Sequence, residues 1–266
     1  ANCMAELTDK RLFLLDMDGT LYLDDDLFPG TIPFLRRIRE KGGRYLFLTN
    51  NSSRGADSYV EKLRRLGIES VPGDFLTSVD ALILFLRKGD YQGKPLYVAG
   101  TESFRRQLRS AGFSVTSDRE EAEVLICGFD TELTFQKLED ACILLNRGAE
   151  FLATNPDWVC PTWYGCVPDC GSVCEMLYRA TGRRPRVIGK PQPEMALLAM
   201  ESTGFAPEET VLVGDRLYTD IACAVNAGID SVLVLSGEST AADLKTSETK
   251  PRWVLRDVAE LTERMG

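Results

Sequence analysis

The chain has 266 residues, 44% of them hydrophobic and 27% charged, as in an ordinary globular protein with one large domain or two smaller ones. Its formal net charge of −9 argues against a nucleic-acid surface or a polybasic membrane anchor, so an anionic substrate would need a metal or a placed cation. The sequence contains no histidine, which excludes Ser-His-Asp and Cys-His dyads and imidazole metal sites.

Residues 1–11 hold no apolar stretch long enough for a secretion signal, and no later segment approaches the roughly 20 apolar residues of a membrane span. We therefore expect a cytoplasmic protein with neither a membrane nor a nucleic-acid partner. In that compartment the eight cysteines are most simply reduced thiols, several of them buried.

Short apolar runs alternate with amphipathic stretches along almost the whole chain. Apolar residues three and four apart predict helices over residues 32–41, 57–66 and 194–203. The apolar runs predict strands at residues 12–15, 45–48, 96–99, 124–127, 151–153, 187–188, 211–213 and 231–235. The alternation of strand and helix predicts an α/β protein with doubly wound parallel sheets.

Chemically capable side chains follow four of these predicted strands. Asp16 follows the first, Thr49 and Asn50 the second, Lys190 the sixth and Asp215 the seventh. In doubly wound sheets, ligands bind at the carboxyl ends of the strands. We expect these side chains to converge on one site, provided that the four strands are neighbours.

Asp16 and Asp18 alternate with Met17, so in an extended backbone both carboxylates lie on one face, where their repulsion raises one pKa or recruits a cation. One carboxylate can then attack phosphorus while the other, partly protonated, donates a proton to the leaving oxygen. The alternative is an ordinary strand-to-turn junction, where Asp and Gly are common. The three aspartates at 24–26 are predicted to be surface charges in a solvated hairpin or loop.

Residues 49–53, Thr-Asn-Asn-Ser-Ser, precede a predicted helix, and two compatible interpretations apply to them. At least one of the five is expected to cap the N-terminus of that helix. The free backbone N–H groups and the hydroxyl at such a helix start also form an anion site.

Lys190 follows a short strand and precedes a proline. A lone lysine is usually a solvated charge, but at the carboxyl edge of a sheet it could neutralise both a bound phosphate and a nucleophilic aspartate. Asp215 and Asp220, five residues apart, add two carboxylates. Together with Asp16 they could present the hard oxygen ligands that Mg²⁺ prefers.

A composition shift marks residues 156–185, which indicates a second module between the two groups of site residues. The four cysteines of this segment lack paired C-x₂-C knuckles, so free thiols are favoured over a zinc or iron–sulfur site at Cys160, Cys166, Cys170 and Cys174. The aromatic residues here are either the core of a small module or a wall that faces the substrate.

The segments DMDGT, TNNSS, GKP and GDRLYTD occur in this order and resemble the four motifs of the haloacid dehalogenase (HAD) superfamily of aspartate-dependent phosphatases. Pro29-Gly30 and the segment ATNPDWVCPTWYGCVPDCGSV are similar to the NagD-like, 4-nitrophenylphosphatase-type branch, subfamily IIA. The resemblance covers nearly the whole chain. It implies a Rossmann-like HAD core of residues 1–79 and 184–266, with an inserted α/β cap of the C2 type, residues 80–183.

The resemblance implies a Mg²⁺-dependent phosphatase that hydrolyses a small phosphorylated metabolite through an aspartyl-phosphate. Asp16 would be the nucleophile, and Asp18 the general acid and then the general base. Asp16, the backbone carbonyl of Asp18 and Asp215 would bind Mg²⁺, with Asp220 supporting the metal shell.

The family pattern also implies binding roles. Phosphoryl oxygens would be held by Thr49, Asn50, Asn51 and Lys190. The cap would select the substrate through residues of one segment, Asn155, Asp157, Trp158, Trp163 and Tyr164. The sequence departs from the branch at Asp169, where a small residue commonly follows the proline, and this extra carboxylate could alter the cap loop or the substrate preference.

Two alternatives stay open at this stage. The same fold serves phosphomutases and other phosphoryl transferases, and it could also serve a non-catalytic phosphometabolite-binding protein. The intact Asp16, Asp18, Lys190 and Asp215 favour catalysis. The motifs do not choose between a sugar phosphate, a nucleoside monophosphate or a similar monoester. Because the cap mediates dimerisation in some family members, a homodimer through the cap is a further expectation.

Overall fold

The computed structural model of the protein describes residues 5–266, so the first four residues of the predicted 1–79 segment lie outside it. The strands of the described range are β1 Leu12–Leu15, β2 Tyr22–Leu23, β3 Asp26–Leu27, β4 Arg44–Thr49, β5 Phe75–Thr77, β6 Leu96–Ala99, β7 Val115–Thr116, β8 Val124–Cys127, β9 Glu150–Ala153, β10 Val159–Thr162, β11 Gly165–Pro168, β12 Arg186–Val187, β13 Thr210–Gly214, β14 Asp230–Val234 and β15 Trp253–Leu255.

The α-helices of the same range are α1 Thr31–Glu40, α2 Ala56–Arg65, α3 Ser78–Lys88, α4 Glu102–Ser110, α5 Phe135–Asn146, α6 Cys170–Thr181, α7 Glu194–Thr203, α8 Ala222–Ala227, α9 Ala241–Thr246 and α10 Val258–Arg264. The three predicted helices are therefore confirmed within one residue at each end. Among the described residues, no helix combines the length and the apolar character that a membrane span requires.

The first sheet has six parallel strands in the order β15-β14-β13-β1-β4-β5. Its central strand β1 is apolar throughout, because both of its faces are covered by helices. Leu12 and Leu14 pack into one hydrophobic cluster, while Phe13 and Leu15 pack into another on the opposite face. Each buried leucine contributes roughly 2 kcal/mol, so the end of β1 is firmly anchored. The predicted doubly wound α/β fold is confirmed.

The second sheet has five parallel strands in the order β12-β9-β8-β6-β7, and lies between β5 and β13 in the chain. One hydrophobic cluster runs from Leu12 and Leu14 of the first sheet through α3 to Leu96 and Val98 of the second. The two sheets therefore pack against each other through a shared core. Two short antiparallel hairpins, β2–β3 and β10–β11, project from this framework.

Two elements fall across the predicted domain boundaries. Helix α3 starts at Ser78, so it runs through the predicted boundary between residues 79 and 80. Strand β12 follows residue 184 but pairs with β9 of the second sheet, with Arg186 opposite Leu152 and Val187 opposite Ala153. The division of the chain stays a prediction, but this strand belongs to the inserted sheet and not to the core sheet.

Candidate active site

Three of the four predicted strand ends meet because their strands are neighbours. Asp16 follows β1, Thr49 ends β4 and Asp215 follows β13, and β1 lies between the other two strands. Lys190 breaks the expected pattern, since it follows β12 in the second sheet. Its side chain nevertheless reaches Asp16, so convergence does not require four neighbouring strands as we expected from the sequence.

Lys190 is the cation at the centre of this site and is 2% exposed. Its Nζ atom donates to Asp220 Oδ1 at 2.7 Å, to Asp16 Oδ1 at 3.3 Å and to the Leu48 carbonyl at 3.1 Å. Burial acts to lower the pKa of Lys190, but the carboxylates of Asp16 and Asp220 outweigh it and raise that pKa. The lysine is therefore held in its charged form.

Asp16, Asp215 and Asp220 form a cluster in which one oxygen of each carboxylate lies within 4.8 Å of the others. Burial raises the pKa of Asp16 to about 7, that of Asp215 to about 6 and that of Asp220 to about 7. Three carboxylates face one lysine, so the cluster carries excess negative charge. Such a cluster is suited to a divalent cation.

The three carboxylates differ in how far the protein already satisfies them. Asp220 has both oxygens engaged, Oδ1 by Lys190 and Oδ2 by the backbone N–H of Arg216 at 3.1 Å. Asp215 Oδ2 accepts from the backbone N–H of Glu238 at 2.8 Å, and its Oδ1 has only a long contact of 3.5 Å with the Thr20 hydroxyl. Asp16 is paired with Lys190 only at the longer distance of 3.3 Å. Asp16 and Asp215 are therefore better placed than Asp220 to bind a cation directly.

Asp18 lies two residues beyond Asp16, and both residues line the same pocket. Burial raises the pKa of Asp18, while the Lys62 ammonium and the backbone N–H of Asp24 oppose that rise. The sequence-based prediction placed Asp24 among surface charges, but only Asp25 and Asp26 are exposed. Asp24 is half-buried and accepts a hydrogen bond from the backbone N–H of Trp163.

Residues 49–53 fold into a turn and do not cap helix α2, contrary to our expectation. Asn51 Oδ1 accepts from the backbone N–H and the hydroxyl of Ser53 at 2.8 and 2.6 Å. The N-cap position of α2 falls later, at Gly55, whose lack of a side chain leaves no side-chain cap. Thr49 Oγ1 accepts from the N–H of Asn51 at 3.1 Å, which tightens the turn.

Asn50 joins this turn to Lys190 and to the segment after β9. Its Oδ1 accepts from the backbone N–H of Lys190 at 2.9 Å, and its Nδ2 donates to the Lys190 carbonyl and to Asp157 Oδ2, both at 2.9 Å. The phosphate-binding role of Asn50 stays a prediction, and the structure shows its amide holding Lys190 in place.

These side chains surround one pocket that holds about 430 Å³ of empty space, part of it open to solvent. The lining combines residues of both sheets' loops. It comprises Asp16, Asp18, Thr49, Asn50, Asn51, Asp157, Cys160, Pro161, Asp169, Lys190, Arg216, Thr219 and Asp220. The structure thus brings together the predicted catalytic, phosphate-binding and metal-binding residues, with Asp215 directly behind the lining.

Arg216 is the most prominent residue of the site that we did not assign from the sequence. It is 8% exposed, and its guanidinium pairs with Asp157 and lies 2.6 Å from Glu238 Oε2. A further bond from Nη2 to the Val159 carbonyl, at 3.3 Å, joins it to the β10–β11 hairpin. The available signal was a charged residue directly after a buried strand, next to Asp215.

The predicted substrate-selecting residues separate into two groups. Asn155 and Asp157 are 1% and 3% exposed, and Asn155 Nδ2 donates to Asp157 Oδ2 at 2.8 Å. Trp158, Trp163 and Tyr164 are 48%, 80% and 63% exposed and do not line the pocket. None of the three belongs to a hydrophobic core cluster, and Trp163 and Tyr164 occupy the open turn of the β10–β11 hairpin. Their substrate-selecting role stays a prediction. Cys160 and Pro161 line the pocket in their place.

The four cysteines of residues 156–185 are free thiols. Among the described residues, the acidic or sulfur ligands that lie close enough together to share a metal are Asp16, Asp215 and Asp220. Cys170 and Cys174 are buried in α6, whereas Cys166 is exposed on β11. The preference for free thiols over a zinc or iron–sulfur site stays a prediction.

Asp169 is a buried carboxylate at the N-terminus of α6, where it accepts from Asn155 Nδ2 at 2.9 Å and from the backbone N–H of Cys170. Burial, followed by the charge of Asp157, raises the pKa of Asp169 to about 7. Between the ordinary pKa of an aspartate and the raised pKa of Asp169, the folded protein keeps a proton that the unfolded chain has already released. The stability of the fold therefore falls as the pH rises between these two pKa values.

We expect Asp169→Asn to stabilise the protein at about pH 8 by on the order of 1–3 kcal/mol, and by less at about pH 5, because asparagine keeps the acceptor without the charge. Urea unfolding at both pH values measures this difference. Asp25→Asn, at an exposed position, is the control and should change little. A loss of stability at the higher pH would contradict the prediction.

The sequence profile described as haloacid dehalogenase-like hydrolase matches residues 13–114, and a second, HAD-hydrolase-like profile matches residues 187–261. An acid sugar phosphatase of Staphylococcus aureus is 32% identical over 250 residues, which cover 94% of this chain and 96% of the relative.

Several solved structures are similar over nearly the whole chain. A 4-nitrophenylphosphatase from Thermotoga maritima superposes with a TM-score of 0.89 at 41% identity, covering 98% of this chain and 99% of that one. NagD from E. coli K-12 gives 0.83 at 33% identity, covering 94% and 98%. A glycerol phosphate phosphatase from Mycobacterium tuberculosis, in complex with magnesium, gives 0.89 at 30% identity, covering 97% and 78%. The chain belongs to the haloacid dehalogenase-like hydrolases, as a phosphatase of the NagD-like, 4-nitrophenylphosphatase-type branch.

Proposed function

We propose that this chain hydrolyses phosphate monoesters of small metabolites with Mg²⁺ and through an aspartyl-phosphate intermediate. The observation that carries the proposal is the buried cluster in which Lys190 lies between Asp16 and Asp220, with Asp215 beside them, at the base of a pocket. A nucleophilic carboxylate, a fixed cation and a metal-binding group are thereby joined at one strand end.

Asp16 attacks the phosphorus atom, forming a bond from its carboxylate oxygen as the bond to the leaving oxygen breaks. Asp18 gives its proton to that leaving oxygen and afterwards takes a proton from the water that cleaves the aspartyl-phosphate. The raised pKa of Asp18 favours the protonated form that the first step needs. Lys190 neutralises charge on the phosphoryl oxygens, and the turn at Thr49, Asn50 and Asn51 provides further donors.

The residues present fit a divalent cation. Asp16, Asp215 and the backbone carbonyl of Asp18 would hold it, while Asp220, whose oxygens are already bonded, would orient Lys190 and support the metal shell. When bound, Mg²⁺ supplies positive charge that offsets the carboxylates and polarises the phosphoryl group. The magnesium complex of the similar glycerol phosphate phosphatase supports this choice of metal.

Glycine at position 237 is required by this metal-binding group. A Cβ atom there would lie 2.0 Å from Asp215 Oδ2 and 2.5 Å from its Cγ, so the carboxylate would have to move. We expect Gly237→Ala to raise the half-saturating Mg²⁺ concentration at least tenfold, roughly the effect of displacing one ligand. Gly73→Ala is the control, since a Cβ there meets no heavy atom within 4 Å. An unchanged Mg²⁺ dependence in Gly237→Ala would count against Asp215 as a ligand.

We infer that the substrate is a small monoester such as a sugar phosphate, a nucleoside monophosphate or glycerol phosphate. Arg216 adds no free cation for a second phosphate, because Asp157 and Glu238 already neutralise it. The names of the relatives, which include sugar, glycerol and 4-nitrophenyl phosphates, support a substrate of this kind.

We expect Mg²⁺-dependent phosphate release from a panel of phosphorylated metabolites, ranked by kcat/KM, with 4-nitrophenyl phosphate as reference. A metal chelator should abolish release, and added Mg²⁺ should restore it. A sugar acceptor present in the assay separates the alternatives, since transfer to the acceptor that outpaces release to water would indicate a phosphoryl transferase. Tight binding of metabolites without release in Mg²⁺ would indicate a binding protein instead.

A further inference from the structure

The β2–β3 hairpin directly follows Asp18, and its turn contains an unusual backbone conformation. Asp24 has φ of 55°, the one positive value at a non-glycine residue in the described range of the chain. Aspartate and asparagine enter this left-handed region more readily than other residues with a side chain, yet at a cost compared with glycine. The turn therefore keeps a carboxylate where the backbone alone would favour glycine.

Asp24 contacts two different parts of the site. Its Oδ2 atom accepts from the backbone N–H of Trp163 at 3.1 Å, in the turn of the β10–β11 hairpin. The first strand of its own hairpin joins the backbone at Asp18, since Tyr22 forms a β-bridge with Asp18 and accepts from the Gly19 N–H at 2.8 Å. The second hairpin in turn borders the pocket through Cys160 and Pro161. Asp24 thus connects the β10–β11 hairpin with the hairpin that is bridged to Asp18.

We propose that Asp24 is a positioning residue, which couples the β10–β11 hairpin to the orientation of Asp18. This inference rests on the proposed function, in which Asp18 protonates the leaving oxygen. General acid catalysis requires the acid within hydrogen-bond reach of that oxygen, so a mobile Asp18 would lose part of its effect. The hydrogen bond between the two hairpins fixes the turn of the β2–β3 hairpin, whose first strand forms a β-bridge with Asp18.

The leaving group provides a selective readout. A 4-nitrophenolate departs with little help from an acid, whereas an alkoxide needs its proton as it leaves. A loss of Asp18 orientation should therefore lower kcat/KM for an alkyl phosphate and leave kcat/KM for 4-nitrophenyl phosphate nearly unchanged. A general loss of fold would lower both, and thermal unfolding midpoints of every variant monitor that separately.

Two substitutions at Asp24 distinguish the side-chain contact from the backbone conformation. Asp24→Gly suits the positive φ but removes the acceptor, and Asp24→Asn keeps both an acceptor and tolerance of this conformation. We expect Asp24→Gly to lower kcat/KM for the alkyl ester about fivefold, the effect of one ordinary hydrogen bond, and Asp24→Asn to keep most of the parent value.

A second pair of variants tests the backbone N–H of Trp163, which donates to Asp24. Trp163→Pro removes the donating N–H, and Trp163→Ala keeps it while deleting an 80% exposed ring. Trp163→Pro should reproduce the leaving-group effect of Asp24→Gly, and the two substitutions together should be no worse than either alone. Trp163→Ala should keep the parent's ratio of kcat/KM for the two esters.

The proposal is overturned if Asp24→Gly lowers kcat/KM equally for both esters, or for neither. It is also overturned if Asp24→Asn lowers kcat/KM for the alkyl ester as much as Asp24→Gly does, or if the effects of Asp24→Gly and Trp163→Pro add. These outcomes leave the proposed function intact, because the parent still turns over both esters in Mg²⁺. Failure of the parent to hydrolyse either ester would overturn the proposed function and this inference together.

Discussion

Replacement of Asp16 by asparagine is expected to abolish hydrolysis of 4-nitrophenyl phosphate, with kcat/KM lowered by at least about a thousandfold. The amide is a poor nucleophile and cannot form the aspartyl-phosphate. It also removes one of the carboxylates that would bind Mg²⁺. Phosphate release in the presence of saturating Mg²⁺ measures the loss.

The fold should survive this substitution, because asparagine is isosteric and Asp16 carries the cost of a buried charge. Burial raises the pKa of Asp16 to about 7, so removal of that charge should not lower the stability of the metal-free protein at neutral pH. Asp25→Asn makes the same chemical change at an exposed site and should keep full activity. Undiminished turnover in Asp16→Asn would end the proposed mechanism.

The central strands of both sheets could be predicted from the sequence because they are buried on both faces. The run at residues 12–15 coincides with β1, and those at 96–99 and 124–127 coincide with β6 and β8. A strand covered by helices on both sides must be apolar at every position, which produces an unmistakable run.

The strands of the two large sheets that we did not predict, β5, β7 and β15, all lie at sheet edges. They have only two or three residues, and β7 is half-buried throughout. An edge strand needs no continuous apolar run, so periodicity gives little signal there. The fourth edge strand, β12, was predicted as a strand but not in its sheet, since pairing partners far apart in sequence leave no local pattern.

The site residues that lie close together in sequence could be predicted. The residues whose role depends on how distant segments pack could not. Asp16 and Asp18 share a strand end, and their spacing alone indicates a reactive pair. The exposure of Trp163 and the burial of Arg216 depend on how the β10–β11 hairpin lies against the core, which one sequence does not contain. The contact of Asp24 with Trp163 crosses the same junction, and so three aspartates that appear equivalent in sequence differ in the structure.

Lys190→Met is expected to lower the free energy of unfolding by about 3–5 kcal/mol in the presence of a metal chelator, and to abolish activity. Methionine matches the length of the lysine side chain but leaves the buried carboxylates of Asp16 and Asp220 without a cation. The cost comes from those uncompensated charges more than from a lost contact.

A second substitution tests that origin of the cost. Asp220→Asn in the Lys190→Met background removes one of the two carboxylates that have lost their cation. The asparagine keeps an acceptor for the backbone N–H of Arg216. We expect the double variant to be more stable than Lys190→Met alone and still inactive, because a phosphoryl group no longer meets the Lys190 ammonium. Urea unfolding of the four members of this cycle, with chelator present, gives the coupling free energy of the pair.

The Lys10–Asp230 pair supplies a matched control away from the pocket. Its N···O distance of 2.7 Å equals that between Lys190 and Asp220, and the Lys10 side chain is likewise fully buried. Lys10→Met should therefore destabilise the protein but leave kcat/KM unchanged at temperatures where the variant is folded. If the losses of stability from Lys190→Met and Asp220→Asn simply added, the carboxylate would not depend on the lysine. The lysine would then act on the phosphate alone, and its ion pair with Asp220 would contribute nothing to stability.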